Sequence, residues 1–151
     1  MKIFIGADHR GYQFKKIIVE KLHDRGDEVV DLGTHQENEA CDYPKIAYAV
    51  ATHVVRARGA RGILVCMTGL GQAIAANKIP GAYAALCYTP ETAALSRQHN
   101  NANILVLGAK FINPKELPEI VDVWLKSKFE GGRHLRRTKQ IKEIEREFSR
   151  V

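Results

Sequence analysis

Cys66 is the residue whose type and position point most directly to chemistry. It ends the apolar run Gly62–Cys66 and precedes a turn that contains two glycines, Gly69 and Gly71. A sulfur near the start of a helix faces exposed backbone N–H groups, which stabilise its thiolate form. A buried core cysteine fits the same spacing equally well, because free cysteines are often buried. Cys66 is therefore a candidate base or nucleophile, with a structural role as the alternative.

The turn after Cys66 is typical of a segment that binds an anion through its backbone. The glycines of Thr68-Gly69-Leu70-Gly71-Gln72 allow N–H groups to approach a negatively charged oxygen. The dinucleotide fingerprint fails, because Ile74 stands where Gly or Ala is required, and there is no Gly-Lys-Ser/Thr motif of a P-loop. The sequence indicates an anion-binding turn without a nucleotide motif.

Two further pairs of residues could exchange protons. Asp8 and His9 follow the first apolar run, and His99 and Asn100 close a predicted helix. A carboxylate or an imidazole can act as an acid or a base or bind an anion. The alternatives are that Asp8 caps the next helix, that His9 is a surface residue, and that His99 complements a helix C-terminus.

Arg133 and Arg137 are spaced to lie on one helical face, since they are four residues apart. Two neighbouring guanidinium groups suit a phosphate dianion, which accepts bidentate hydrogen bonds. A solvated basic face is the alternative interpretation.

The elements that must position these residues alternate between strand and helix. Regular alternation with nearly continuous apolar strands predicts an α/β fold, a three-layer sandwich in which helices cover both faces of a five-stranded parallel sheet. Ligands bind beyond the carboxyl ends of such strands, so the topology should gather several candidates into one pocket or an adjacent interface. We predict strands at 2–6, 28–32, 62–66, 82–87 and 103–107, and helices at 14–22, 43–55, 72–77 and 91–99.

The C-terminal part is predicted to be a helical extension. Pro114 is placed to start a helix that Gly131 and Gly132 would end. A second helix, at about 133–148, has few apolar residues among many charges. Because that apolar stripe is sparse, we expect this helix to be mostly solvated and to pack on a partner subunit.

Length and charge narrow the function classes. The 151 residues predict a single domain, 1–151, and no apolar run is long enough for a membrane span or a signal peptide, which favours a cytoplasmic protein. The net charge of +6 suggests nucleic acid, but residues 1–125 carry 14 Lys+Arg against 13 Asp+Glu, and residues 126–151 carry 9 against 4. The basicity is therefore local, and we expect neither a nucleic-acid nor a membrane partner.

The remaining cysteines carry little functional signal. Cys41 lies in a polar loop, Cys87 ends an apolar strand without a glycine turn, and no C-x-x-C pair occurs. The sequence therefore predicts neither a disulfide framework nor a zinc site. It does predict a structural role for Cys87.

The chain resembles the type B ribose-5-phosphate isomerases, in the wider group that includes galactose-6-phosphate isomerase subunits. The resemblance runs nearly end to end and rests on residues 6–11, 42–44, 66–71 with 75–78, 95–100 and 130–134. It implies a Rossmann-like subunit, a homodimer or homotetramer with active sites at the subunit interface, and neither a metal nor an organic cofactor. The implied substrate is a phosphorylated sugar.

The resemblance also implies a role for each site residue. Cys66 would be the base that moves a proton between C1 and C2 through a cis-enediolate, and the amides of the Gly69–Gly71 turn, with Asn100, would stabilise the enediolate oxygen. Asp8 and His99 would assist ring opening. Thr68 belongs with these catalytic residues and would contact the sugar together with Tyr43. The phosphate would be held by His9, Arg133 and Arg137.

Two departures from the family pattern leave the substrate open. Met67 stands where glycine is common, which adds a side chain near the sugar, and Lys110 stands where many members have arginine. Residues 70–75 contain no carboxylate, so Cys66 is the only candidate base on that loop. Ribose 5-phosphate is the expected substrate, with allose 6-phosphate or galactose 6-phosphate as alternatives.

Two other function classes stay open at this point. One is a thiol hydrolase that uses Cys66 with His99 and Asp8 or Asn100. The other is a nucleic-acid-binding module that uses the C-terminal arginines, although that segment has only Phe129 and Phe148 as aromatic residues.

Overall fold

Strands and helices alternate along the chain in the computed structural model, which describes residues 1–148. Residues 149–151, which complete the predicted domain, lie outside the described residues. The strands are β1 (Lys2–Ala7), β2 (Glu28–Asp31), β3 (Arg61–Cys66), β4 (Ala84–Cys87) and β5 (Ile104–Gly108). The helices are α1 (Tyr12–Asp24), α2 (Tyr43–Arg56), α3 (Leu70–Ala76), α4 (Pro90–Asn100), α5 (Leu117–Lys126) and α6 (Gly132–Phe148).

All five strands are parallel and form one sheet in the order β2-β1-β3-β5-β4. The central strand β3 and its neighbour β5 are almost entirely apolar and buried, because helices cover them on both sides. The predicted α/β architecture is confirmed. The chain leaves β1 towards β2 and leaves β3 towards β4, so the connections diverge between β1 and β3 and open a crevice there.

Two hydrophobic cores lie on the two faces of the sheet. One contains α1, α5 and part of α4, with Trp124 fully buried at its centre. The other contains α2 and α3. Each fully buried large side chain contributes about 1.5–3 kcal/mol relative to exposure, so both cores stabilise the sheet that carries the site.

The predicted start and end of the fifth helix were wrong. α5 begins at Leu117, with Pro118 in its first turn, and not at Pro114. The side chain and carbonyl of Asn113 accept hydrogen bonds from the N–H groups of Lys115 and Glu116, which forms a turn instead of a helix. The helix ends at Lys126, well before the two glycines, and the Ser127 hydroxyl donates to the Val123 carbonyl at its C-terminus.

Helix α6 lies along the edge of the sheet where the strands begin. Near its start, Glu130 donates its backbone N–H to the Gln98 carbonyl, and near its end Glu145 accepts a hydrogen bond from the Gly81 N–H at 2.6 Å. Its only buried residues are His134 and Thr138, while its apolar residues Leu135, Ile141, Ile144 and Phe148 are exposed. Within residues 1–148, no helix has the length and apolar character needed to cross a membrane.

Candidate active site

The candidate residues fall into two groups at opposite edges of the sheet. Asp8 and Cys66 lie at the carboxyl ends of β1 and β3, in the crevice where the connections diverge. His99 and Asn100 end α4, which runs back from the end of β4 to the start of β5. The length of β5 separates these two edges, because the second group lies where β5 begins and the first group lies where the strands end. β5 spans four residue steps of about 3.3 Å, so the two groups are about 13 Å apart along the sheet. Within one chain the two groups therefore do not share a pocket, which leaves the expected alternative of an adjacent interface.

At the carboxyl edge, the Cys66 thiol donates a hydrogen bond to Oδ2 of Asp8, with an Sγ–O distance of 2.9 Å. The other carboxylate oxygen of Asp8 accepts from the backbone N–H groups of Arg10 and Gly11, both at 3.0 Å. Gly11 permits this approach, because a Cβ there would overlap the Val65 carbonyl on β3. Asp8 therefore organises the turn that leads into α1, where Gly11 is the N-cap residue, and it also accepts from the thiol.

The environment of Cys66 favours its protonated form. Burial, the hydrogen bond to Asp8 and the negative charge of Asp8 raise the pKa of the Cys66 thiol from 9.0 to about 11. The N–H groups of Gly69 and Met67 act in the opposite direction, but their effect is smaller. The expected thiolate, stabilised by the start of a helix, is thus not the resting form, because the carboxylate outweighs the backbone dipoles.

The turn after Cys66 has the conformation that the glycines predict. Gly69 has φ of 80° and precedes the first residue of α3, so a side chain there would strain the backbone. The N–H of Leu70, the first residue of α3, donates to the Thr68 hydroxyl at 3.3 Å, while Gly69 at the N-cap has no side chain that could accept a hydrogen bond. The N–H groups of the residues that follow Leu70 in the first turn of α3 have no acceptor within the helix. These groups are therefore available as backbone donors.

Tyr43 and Thr68 pack closely around this turn. A Cβ on Gly71 would lie 2.6 Å from Cε2 and 2.7 Å from the hydroxyl oxygen of Tyr43, so Gly71 makes room for the aromatic ring. The Thr68 carbonyl accepts a hydrogen bond from the Tyr88 hydroxyl at 3.0 Å. The structure thus places the Tyr43 ring against the turn that follows Cys66, and Thr68 within that turn.

At the opposite edge, His99 stacks on His134, with ring centroids 4.1 Å apart and planes inclined by 6°. Oε2 of Glu130 lies 3.7 Å from Nε2 of His134 and 4.0 Å from Nε2 of His99. Burial, followed by the charges of His99 and Arg133, lowers the pKa of His134, which favours a neutral imidazole. Arg133 donates from Nε to the His134 ring at 3.4 Å.

The proposed phosphate ligands are divided between the two edges. Arg133 and Arg137 are exposed and one turn apart on α6, whereas His9 follows Asp8 at the carboxyl edge. Nδ1 of His9 is buried and has no hydrogen-bond partner among the described residues. Lys110 is exposed just beyond the end of β5, at the same edge as His9.

Comparison with known proteins assigns the chain to a family. The profile of the ribose/galactose isomerase family matches residues 3–141. The chain belongs to this family. Among relatives in the ribose/galactose isomerase family, the probable ribose-5-phosphate isomerase B of Mycoplasma genitalium is 47% identical over 146 residues, covering 96% of each chain. Ribose-5-phosphate isomerase B of Escherichia coli K12 is 45% identical and covers 95% of this chain and 96% of that protein.

Solved structures of ribose/galactose isomerases share the fold. Ribose-5-phosphate isomerase B of Clostridium thermocellum has a TM-score of 0.93 at 48% identity and covers 98% of this chain and 99% of that one. The Mycoplasma genitalium structure, with bound ribulose-5-phosphate, has a TM-score of 0.92 at 46% identity over 97% of both chains. The family's Rossmann-like α/β fold is confirmed.

Three polar residues near the candidate site of this ribose/galactose isomerase were not named as site residues from the sequence. His134 and Glu130 contact His99, and their signal was the segment 130–134, which carries part of the family resemblance. Gln72, in the turn after Cys66, is fully buried, and its side-chain amide has no hydrogen-bond partner within the described chain. Helical spacing could not have placed Glu130 beside His134, because Glu130 precedes α6, which begins at Gly132.

Proposed function

We propose that this protein interconverts ribose 5-phosphate and ribulose 5-phosphate, as an aldose–ketose isomerase. One observation carries the mechanism: the Cys66 thiol lies 2.9 Å from the Asp8 carboxylate, beside the first turn of α3, where the Gly71 N–H has no acceptor within the helix. Moving a proton next to a carbonyl requires a base and a group that stabilises an enediolate oxygen. The names of the relatives and the ribulose-5-phosphate in the Mycoplasma genitalium structure support the same reaction.

The thiol must lose its proton before it can act as a base. Oδ2 of Asp8 is the acceptor within hydrogen-bond distance, so it takes that proton as the substrate approaches. The Cys66 thiolate then removes the C2 proton from the open-chain aldose, and the C1 carbonyl becomes the enediolate oxygen. Return of the proton to C1 and transfer of the hydroxyl proton from O2 to O1 give the ketose.

Stabilisation of the enediolate is assigned to the turn that follows Cys66. Within the Gly69–Gly71 turn the Gly71 N–H is assigned to the negative oxygen, because the Gly69 N–H acts on the Cys66 sulfur and the Leu70 N–H donates to Thr68. Thr68 and Tyr43 are assigned to the sugar hydroxyls. Dipoles fixed in this way need no reorganisation during the reaction, which makes them effective. Met67 is exposed beside Cys66, where it would restrict the room for a longer sugar, such as allose 6-phosphate or galactose 6-phosphate.

The complete site is proposed to form between two chains. His99, Asn100, Arg133 and Arg137 lie at the edge opposite to Cys66, so in one chain they cannot reach the same sugar. The exposed apolar residues of α6 lie at that edge and are suited to bury against a second copy. In a symmetric homodimer, or a homotetramer built from it, the α4–α6 edge of one chain would complete the Cys66 site of the other. Each chain is then one isomerase domain over 1–151.

Within this site, His99 is assigned to ring opening together with Asp8, and Asn100 to the enediolate oxygen. Arg133 and Arg137 would hold the phosphate with His9 from the other chain, and Lys110 is a secondary candidate. The thiol-hydrolase alternative requires a thiol activated by a histidine, whereas the Cys66 thiol donates to the Asp8 carboxylate and has a raised pKa. Cytoplasmic location and the lack of a nucleic-acid partner stay predictions of the sequence.

A substrate panel tests the proposal. The purified chain would be given ribose 5-phosphate, allose 6-phosphate and galactose 6-phosphate, and ketose formation would be followed for each. We expect the highest kcat/KM for ribose 5-phosphate. No turnover of any of the three would refute the isomerase, and a preference for a hexose phosphate would correct the substrate.

A further inference from the structure

His134 contacts two residues that the proposed function assigns to the substrate, although it has no assigned role of its own. Its ring stacks on His99, with ring centroids 4.1 Å apart and planes inclined by 6°. Its Nε2 atom accepts a hydrogen bond from Nε of Arg133 at 3.4 Å. His134 thus lies between the residue assigned to ring opening and a residue assigned to the phosphate.

Packing holds His134 more firmly than it holds either neighbour. His134 is only 5% exposed, and in the first turn of α6 its backbone N–H donates to the Gly131 carbonyl at 2.9 Å. His99 is partly exposed at the end of α4, and Arg133 is exposed. Because a buried ring contacts both side chains, it restricts the positions that they can adopt.

The contact with Arg133 determines which nitrogen of the His134 ring can carry a proton. A guanidinium group only donates hydrogen bonds, so Nε2 of His134 must be unprotonated to accept this one. The contact occupies Nε of Arg133 and leaves its two terminal nitrogens for a phosphate, which accepts bidentate hydrogen bonds. A neutral His134 therefore orients the guanidinium without competing for the phosphate.

The charged groups around His134 favour this neutral form. The groups that face it are His99 on α4, Arg133 and Arg137 on α6, and Glu130 just before α6. Burial, followed by the charges of His99 and Arg133, lowers the pKa of His134, while the Glu130 carboxylate acts in the opposite direction. Two positively charged rings in a stack would repel each other, so a neutral His134 allows His99 to gain and release a proton.

We propose that His134 is a positioning residue for the reaction, whose neutral ring holds His99 through the stack and Arg133 through the hydrogen bond. The effect on turnover rests on the proposed function, whereas the two contacts do not. A displacement of about 1 Å in an active site can cost about 10²-fold in rate. A residue that acts only through its neighbours can therefore affect both kcat and KM.

Two substitutions separate the two contacts. His134→Phe keeps an aromatic ring for the stack and removes the acceptor, so KM for ribose 5-phosphate should rise about tenfold while kcat changes by less than about twofold. His134→Gln removes the ring and keeps an acceptor at the same number of bonds from the backbone as Nε2. In this variant kcat should fall about tenfold while KM changes by less than about twofold. If both variants lower kcat and raise KM together, the role is structural and the proposal is wrong.

Thr138→Val is the matched control for these substitutions. Thr138 is the other buried residue of α6, and its hydroxyl donates to the Leu135 carbonyl of the same helix at 3.1 Å. Its replacement should leave kcat and KM unchanged, even where the melting temperature shifts. Kinetic changes in Thr138→Val as large as those in the His134 variants would overturn the proposal.

The pH profile gives a readout that a packing role would not move. Because the pKa of His134 is lowered, its ring is neutral at neutral pH and gains a proton only as the pH falls through that lowered pKa. The added proton ends acceptance from Arg133, so KM should rise in acid more steeply in the wild type than in His134→Phe. The substrate phosphate titrates equally in both proteins, so the comparison removes its effect. Parallel profiles would refute the role of the neutral ring.

A measurement without turnover separates this inference from the proposed function. Calorimetry with inorganic phosphate on the full chain should show about tenfold weaker binding in His134→Phe and unchanged binding in Thr138→Val. This pattern in a protein that lacks isomerase activity would refute the proposed function and support the positioning of Arg133. An active isomerase in which His134→Phe matches the wild type in phosphate binding and in KM would refute the positioning role alone.

Discussion

The thiol of Cys66 donates to the carboxylate of Asp8 across 2.9 Å, although 58 residues separate them in the chain. This contact joins β1 and β3 at the point where their connections diverge. Together with burial, it raises the pKa of the thiol to about 11, which keeps the thiol protonated at rest. In the proposed mechanism the same carboxylate accepts the thiol proton, so that Cys66 can act as a base.

Cys66→Ala should lower kcat for ribose 5-phosphate by about 10²–10⁴-fold, the usual contribution of a general base. KM should change little, since the phosphate and sugar contacts remain. Cys87→Ala is the matched control: Cys87 is buried in the core, so its replacement should reduce the free energy of unfolding by about 1 kcal/mol and leave kcat unchanged. Steady-state kinetics and urea unfolding check both, and full activity in Cys66→Ala would place the base elsewhere.

Asp8→Asn should lower the pKa of the Cys66 thiol. The carboxylate raises that pKa by accepting the thiol proton and by its negative charge, and asparagine has no charge. Alkylation by iodoacetamide, followed by mass spectrometry at several pH values, should therefore become faster near neutral pH. Turnover should fall at the same time, because the proton acceptor is lost. Unchanged alkylation of Cys66 would show that Asp8 does not control the thiol.

Gly71→Ala should displace the Tyr43 ring. The added Cβ would lie 2.6–2.7 Å from ring and hydroxyl atoms of Tyr43, and such overpacking costs about 1–3 kcal/mol. We expect a lower melting temperature and a higher KM. In a Tyr43→Ala background the same change should have little effect, because the obstructed ring is absent. Equal effects in both backgrounds would mean that Gly71 acts through its backbone and not through Tyr43.

Mixing two inactive variants should restore activity if the site is shared. Cys66→Ala and Arg133→Ala damage opposite edges, so a mixed dimer would contain one intact site and one doubly damaged site. Random exchange of subunits should recover about a quarter of wild-type activity. Cys66→Ala mixed with Asp8→Asn should recover nothing, because both changes lie at the same edge. Activity that stays absent after confirmed subunit exchange would argue for a site within one chain.

Ile141→Asp combined with Ile144→Asp should dissociate the oligomer. Both side chains are exposed on α6, and two buried charges in a dimer interface would oppose association. Light scattering should report a smaller particle, and isomerase activity should be lost with the partner edge. Gln140→Asp, on the same helix and also exposed, is the control and should remain associated. A variant that stays oligomeric and active would exclude this face as the interface.

The sequence predicted the elements whose patterns are locally determined. The apolar runs of β1, β3 and β5 and the glycine turn at Gly69 require no knowledge of distant residues. The start of α5 was missed because Asn113 forms a turn that competes with the helix expected from Pro114.

The candidate site was predicted in part, for a related reason. Residue types and the family resemblance identified Cys66, Asp8 and His99, but the protonated state of Cys66 depends on a contact made by the folded chain. Likewise, the stack of His99 on His134 depends on how α4 meets α6. These relationships arise from tertiary packing, which periodicity and spacing do not encode.

With a site shared between two chains, as proposed, the placement of its two halves at opposite edges of the sheet would make catalysis depend on protein concentration. In the proposed dimer a single chain contributes to two sites and completes neither by itself. When the protein is diluted below the dissociation constant of the dimer, the population of complete sites falls by mass action. Specific activity should then decline on dilution and return on concentration, so the cellular abundance of the chain would itself set the turnover of each molecule.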